Sequence, residues 1–179
     1  GVRDFFASRG ITLPEGDPSD GPAAQTICGL GNRKNDLFNT VLARDGIQPY
    51  PGSRRWVDRL HESGMAMAVV SSSRNAAAVL KAAGMVEDFS VLVDGNRSKT
   101  ERLPGKPAPD TYLRGAELLG VPAEQCVVVE DAVSGVRAGA AGGFGMVLGV
   151  NRGVGADRLR EAGADRVVDD LDEMVEEMA

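Results

Sequence analysis

Aromatic residues are scarce in this chain: five Phe, two Tyr and one Trp make up 4% of 179 residues. Histidine is scarcer still. The single imidazole, His61, is the only residue through which Ser-His-Asp or Cys-His catalysis could run, and its neighbours Arg59 and Glu62 read as an exposed helix face. Two cysteines, Cys28 and Cys126, stand far apart with no Cys-x-x-Cys spacing, so a zinc site lacks ligands and a reducing compartment is the simpler reading. No basic tract is present, and 20 Lys+Arg against 26 Asp+Glu leave a net charge of −6, which argues against nucleic acid as a partner. Long apolar runs are missing too. The longest uncharged stretch, Ala138–Asn151, is glycine-rich and falls short of the roughly 20 apolar residues that cross a bilayer. No charged-then-apolar leader opens the chain, so a cytoplasmic protein is expected.

What is present is alternation. The first 50 residues carry apolar side chains at helical spacing in Val2–Arg9 and Asn32–Asp45, separated by the Pro-, Gly- and Asp-rich loop Pro14–Pro22. This predicts a small helical unit over 1–50, joined to the rest by a hinge at Gln48–Gly52, where prolines break both periods. Over 51–179 the pattern predicts helices at Arg54–Ser63, Arg74–Ala83, Asp110–Leu119, Val133–Ala141, Ala156–Ala162 and Leu171–Met178. Strands are expected at Met65–Val70, Phe89–Val93, Cys126–Val129, Phe144–Val150 and Arg166–Val168. Short continuous apolar strands such as Val127-Val128-Val129 suit a parallel sheet covered on both faces. The expected fold class is therefore α/β, a Rossmann-like parallel sheet with a small helical cap.

In open parallel sheets the site lies at the carboxyl ends of the strands. Three segments there carry chemistry. Ser71-Ser72-Ser73-Arg74-Asn75 follows the first strand and reads either as a helix N-cap or as a phosphate cradle. Lys106 sits between Gly105 and Pro107, two backbone-restricting residues, where a solvated loop lysine needs neither. Glu130 and Asp131 follow three valines, where desolvation penalises adjacent carboxylates unless something cationic is bound. A hydroxyl, a fixed lysine and a paired acid after successive strands together point to phosphate plus Mg²⁺, which typically takes one or two carboxylates and substrate phosphate. In that reading Ser71 hydrogen-bonds a phosphoryl oxygen, Lys106 neutralises its charge, and Glu130 and Asp131 place the metal.

These segments resemble three of the four core motifs of the haloacid dehalogenase superfamily: Val69-Val70-Ser71, Gly105-Lys106-Pro107-Ala108-Pro109-Asp110, and Val127 to Asp131 followed by Ser134-Gly135-Val136-Arg137-Ala138-Gly139. Gly1-Val2-Arg3, Asn32 to Asp36 and Ser71 to Asn75 resemble the β-phosphoglucomutase-like branch, in which such stretches bind sugar phosphate. The resemblance implies Arg33, Lys34 and Asn35 from the cap, and Ser72, Ser73, Arg74 and Asn75 from the core, as substrate-binding residues. It also implies a monomeric Mg²⁺-dependent phosphosugar mutase, or alternatively a phosphatase of the same fold, acting on a small phosphorylated sugar or metabolite. Ala132 stands where that branch often has Ser. The larger departure is the first motif, Asp-x-Asp on the first core strand, whose first Asp is the nucleophile. Asp4, Asp17 and Asp20 have no preceding strand and cannot serve. The 179 residues alone are thus expected to be inactive; if complete, they would be a non-catalytic phosphate-binding module. The family's first strand lies between the strands corresponding to Met65–Val70 and Cys126–Val129, so these two are expected not to pair directly. An upstream segment or another chain is expected to supply the strand, unless it was cut away.

Overall fold

A computed structural model of the chain describes residues 2–177. They form two compact units that divide between Ile47 and Gln48.

The first unit contains α1 (Val2–Ala7) and α2 (Ile27–Asp45). Its intervening loop is ordered by Asp20, whose carboxylate accepts from Thr26 Oγ1 at 2.6 Å and from the Asp17 amide at 3.1 Å. Thr26 in turn caps α2 by accepting from the Gly29 amide at 2.9 Å, so the helix starts at Ile27, ahead of the periodic stretch at Asn32. Phe5, Leu37, Phe38 and Val41 stay exposed, so this unit has the periodicity of an amphipathic helix pair, with no large apolar side chain fully buried among its described residues.

The second unit is layered α/β. It comprises α3 (Pro51–Glu62), β1 (Ala68–Val70), α4 (Ala76–Ala82), β2 (Val91–Val93), α5 (Gly95–Thr100), α6 (Asp110–Leu119), β3 (Val127–Glu130), α7 (Val133–Ala141), β4 (Met146–Val150), α8 (Ala156–Glu161), β5 (Arg166–Val168) and α9 (Asp172–Glu177). All strand pairs are parallel. β1 pairs with β2 in one sheet, and β3, β4 and β5 lie in that order in another. β1 and β3 share no ladder, as the resemblance implied.

Within the valine run of β3, Val128 and Val129 face cores on opposite sides of the sheet, whereas Val127 at its start is 52% exposed. Val128 and Val147 pack with Tyr112, Val136, Ala138 and Leu159 beneath α6, α7 and α8. Their sequence neighbours Val129 and Leu148 point the other way, toward Trp56 of α3 and the start of α9. That is the period-2 alternation of a strand with a core on each side. α7 lies close to the sheet because Gly139 has no side chain: a Cβ there would sit 3.0 Å from Val147 Cγ2 and 3.1 Å from Val128 Cγ1. α6 stops at Gly120, whose φ of 70° is the left-handed cap a glycine adopts cheaply.

Three expectations are corrected. Pro51 and Gly52 are not linker but the first turn of α3, where proline's missing N–H costs nothing. The strand expected at Met65–Val70 is confined to Ala68–Val70, because only those residues find a partner, in β2. The stretch after Asp94, where the pattern predicts no helix before Asp110, opens with α5, nucleated by Asp94, which accepts from the amides of Asn96 at 3.0 Å and Arg97 at 2.8 Å. Among the described residues no helix is long and apolar enough to cross a membrane, and both cysteines are free.

Ion pairs tie the second unit together and set its acid response. Arg54 grips Asp88 and also Asp58, and Arg152 donates to Asp170 at 2.8 Å. Hydrogen bonding from Arg54 holds Asp88 below the ordinary aspartate value, and Arg152 does the same for Asp170. A carboxyl depressed in the folded state contributes stability above its unfolded pKa, and that contribution is lost as pH falls through the folded value. The urea midpoint should therefore hold steady at neutral pH and fall once pH drops past about 4. A midpoint that stayed flat or rose down to pH 3 would show that these pairs contribute nothing net.

Candidate active site

The carboxyl end of β3 meets the loop before α6 at one side chain. Glu130 is 11% exposed and Lys106 12%, and the two form an ion pair. The Lys106 ammonium also lies 3.5 Å from the Val70 carbonyl at the end of β1 and 4.5 Å over the ring of Tyr112. One lysine thus touches the ends of both strands that lack a mutual ladder. The Lys106–Pro107 peptide bond is cis.

Glu130 is held from every side. Its Oε1 accepts from Lys106 and, at 2.7 Å, from Tyr112 Oη. Its Oε2 accepts from the amides of Asp131 and Ala132, each at 3.0 Å. Burial alone would raise this carboxyl, but the Lys106 charge and the hydrogen bonds from Lys106, Tyr112 and Ala132 outweigh it and hold the group below its ordinary value. Tyr112 is pushed strongly the other way, first by burial and then by the adjacent Glu130 charge, so its hydroxyl stays a donor. Gly135, in the first turn of α7, makes room for the carboxylate: a Cβ there would land on it.

Asp131 differs from its neighbour. It is exposed, and with Glu130, Ser53 and Arg152 it lines a cavity of about 280 Å³. Among the described residues no cluster of three or more His, Cys, Asp or Glu converges. Mg²⁺ needs only one or two protein carboxylates beside phosphate and water, so the donor chemistry of Asp131 with Glu130 fits that ion.

The segment after β1 is built as nested turns. The Ser71 amide donates to the Val93 carbonyl at 2.9 Å. Ser71 Oγ accepts from the Ser73 amide at 3.1 Å, and Ser73 Oγ accepts from the Asn75 amide at 3.1 Å. Neither serine caps α4, whose N-cap is Asn75. Ser71 Oγ therefore keeps its own O–H to give to an acceptor. Ser72, Ser73 and Arg74 are exposed, and the loop is braced by Asn96 of α5, which donates to the Arg74 carbonyl at 2.9 Å. Arg33 and Lys34 are exposed on α2 of the first unit, with Asn35 half-buried beside them.

Sequence reasoning passed over two features. Tyr112 occupies an apolar position of α6 and reads as a core aromatic; nothing in the sequence signals that its hydroxyl meets Glu130. An Asp-x-Asp triplet does occur, at Asp170-Leu171-Asp172 after β5. Both carboxylates are committed, Asp170 to Arg152 and Asp172 to Arg55, and they follow the outer strand of the three-stranded sheet.

The family model for haloacid dehalogenase-like hydrolases matches residues 1–143. A β-phosphoglucomutase of Mycobacterium bovis is 48% identical over 178 residues, covering 98% of this chain and 68% of that protein. Hexitol phosphatase A of Escherichia coli is 39% identical over 132 residues, 73% of this chain and 57% of that protein. Among solved structures, a β-phosphoglucomutase of Clostridium difficile superposes with a TM-score of 0.71 at 23% identity, over 87% of this chain and 67% of the other, a likeness of fold.

Proposed function

The chain belongs to the haloacid dehalogenase-like hydrolase family, and on that premise we propose that it carries the core of a Mg²⁺-dependent phosphoryl-transfer site acting on a small phosphorylated sugar. The observation that supports this reading best is Lys106, a nearly buried ammonium set between the carboxyl ends of β1 and β3 and paired with Glu130.

In the proposed reaction a carboxylate oxygen attacks phosphorus, the bond from phosphorus to the sugar oxygen breaks, and an aspartyl-phosphate forms. The phosphoryl group then passes to another hydroxyl of the sugar or to water. The carboxylate belongs on a strand seated between β1 and β3, a position that neither Asp170 nor Asp172 occupies. Lys106 would offset charge on the phosphoryl oxygens, and the Ser71 hydroxyl would donate to one of them. Asp131 and Glu130 would hold Mg²⁺, which when bound adds further neutralisation of the phosphate. Ser72, Ser73, Arg74 and Asn75 would receive the substrate. The same role for Arg33, Lys34 and Asn35 rests on sequence resemblance alone.

The 48% identity to a β-phosphoglucomutase favours transfer back to sugar. The hexitol phosphatase relative keeps hydrolysis as the second reading. Supplying β-glucose 1-phosphate with a trace of the 1,6-bisphosphate to the intact polypeptide decides between them. Glucose 6-phosphate is the expected product; inorganic phosphate would assign the phosphatase. Release of neither from this or other small sugar phosphates would leave a non-catalytic phosphate-binding module.

A further inference from the structure

Glu130 carries as many donors as a carboxylate has lone-pair sites. Lys106 and Tyr112 take Oε1, and the amides of Asp131 and Ala132 take Oε2. A cation joining Glu130 must therefore displace one of them. The two amides belong to the backbone turn that leads into α7 and cannot leave without unmaking it. The choice falls between the two donors on Oε1.

They are not equivalent. Lys106 is itself a cation, so a second cation at the same oxygen repels it. It also has the Val70 carbonyl within reach at 3.5 Å. Tyr112 is neutral, 7% exposed, and wedged edge-on against Phe144 with ring centroids 6.0 Å apart. Its hydroxyl is enclosed with Glu130 as the acceptor, and a buried hydroxyl stripped of its partner is penalised. We infer that Tyr112 is a positioning residue that anchors Glu130 for cation binding, while Lys106 is the donor that yields when the cation arrives. This rests on the proposed reading of Glu130 and Asp131 as metal ligands and adds a residue to it. The displaced ammonium is then free for phosphate, so binding of the two ligands is coupled through one side chain.

The inference gives opposite signs for two substitutions on one oxygen, which loss of packing alone would not do. Mn²⁺ is titrated into the intact polypeptide and the free ion is followed by electron paramagnetic resonance, with thermal melting recorded in parallel. Tyr112→Phe keeps the ring under Lys106 and removes only the hydroxyl. It should weaken Mn²⁺ binding by roughly the 10- to 100-fold seen when a group orienting a metal ligand is lost. Lys106→Met removes the competitor and should tighten binding several-fold. Unchanged or tighter binding by Tyr112→Phe, or weaker binding by Lys106→Met, overturns the inference while leaving the metal site standing. Should Tyr112→Phe not fold, the Lys106→Met arm decides alone. A parent protein that binds no Mn²⁺ overturns the metal reading and the inference with it.

Discussion

Gly135→Ala should destabilise the second unit by about 3 kcal/mol or more, the usual cost of breaking a buried ion pair. The direction is the informative part. Alanine in place of glycine within a helix ordinarily stabilises by roughly 0.5–1 kcal/mol, since it removes backbone freedom from the unfolded chain. At Gly135 the new methyl group would fall on the Glu130 carboxyl and 2.6 Å from its Cγ. Glu130 cannot move aside freely, because Lys106, Tyr112 and two amides hold it. Displacing it strands a nearly buried ammonium and a buried phenol. Gly31 in α2 supplies the control. A Cβ there meets nothing within 4 Å, so Gly31→Ala should be neutral or mildly stabilising. Urea unfolding of the two variants beside the parent reads both signs. Equal effects would mean that the Glu130 cluster has slack the structure does not show.

Lys106→Met should lower turnover about a hundredfold in an active polypeptide, close to 3 kcal/mol of transition-state stabilisation. Charge on the phosphoryl group builds between ground state and transition state, so the loss should appear mainly in kcat and less in KM. The same variant is expected to bind Mn²⁺ more tightly. A protein that holds the cation better and reacts more slowly separates the two tasks of this lysine, which pairs with Glu130 at rest and would serve phosphate in turnover. Unchanged turnover would return Lys106 to the status of a loop lysine.

Local signals decided where several elements lie. α6 spans Asp110–Leu119 as read, bracketed by Pro109, which cannot continue a ladder, and Gly120, which supplies the left-handed exit. α7 and β5 also match, the first through its small and apolar spacing, the second through a short valine run between Gly163 and the next polar turn. α5 was illegible because Gly95-Asn96-Arg97-Ser98-Lys99-Thr100 has no apolar period. It exists through the Asp94 cap, and a cap is a hydrogen bond before it is a pattern. β1 came out shorter than its apolar run because strand length is set by the partner, and β2 pairs only with Ala68, Val69 and Val70.

The candidate site divides along the same line. Ser71, Glu130 and Asp131 could be picked out because they stand at the carboxyl ends of strands, which share one edge in a parallel sheet, and Lys106 because Gly105 and Pro107 restrict the backbone on either side of it. The sequence by itself thus determined the α/β class, the edge that bears chemistry and the residue types gathered there, since these depend on periodicity and chain order. Which of those residues touch was decided only by the tertiary structure. Glu130, the last residue of β3, turns to Lys106 and Tyr112 because α6 is laid against that side, while Asp131, in the turn beyond the strand, is exposed. Tyr112 joined the site for the same reason. Its helix position marks it as buried, but the group its hydroxyl meets depends on how α6 is laid against β3, a distance in space that no spacing along the chain encodes.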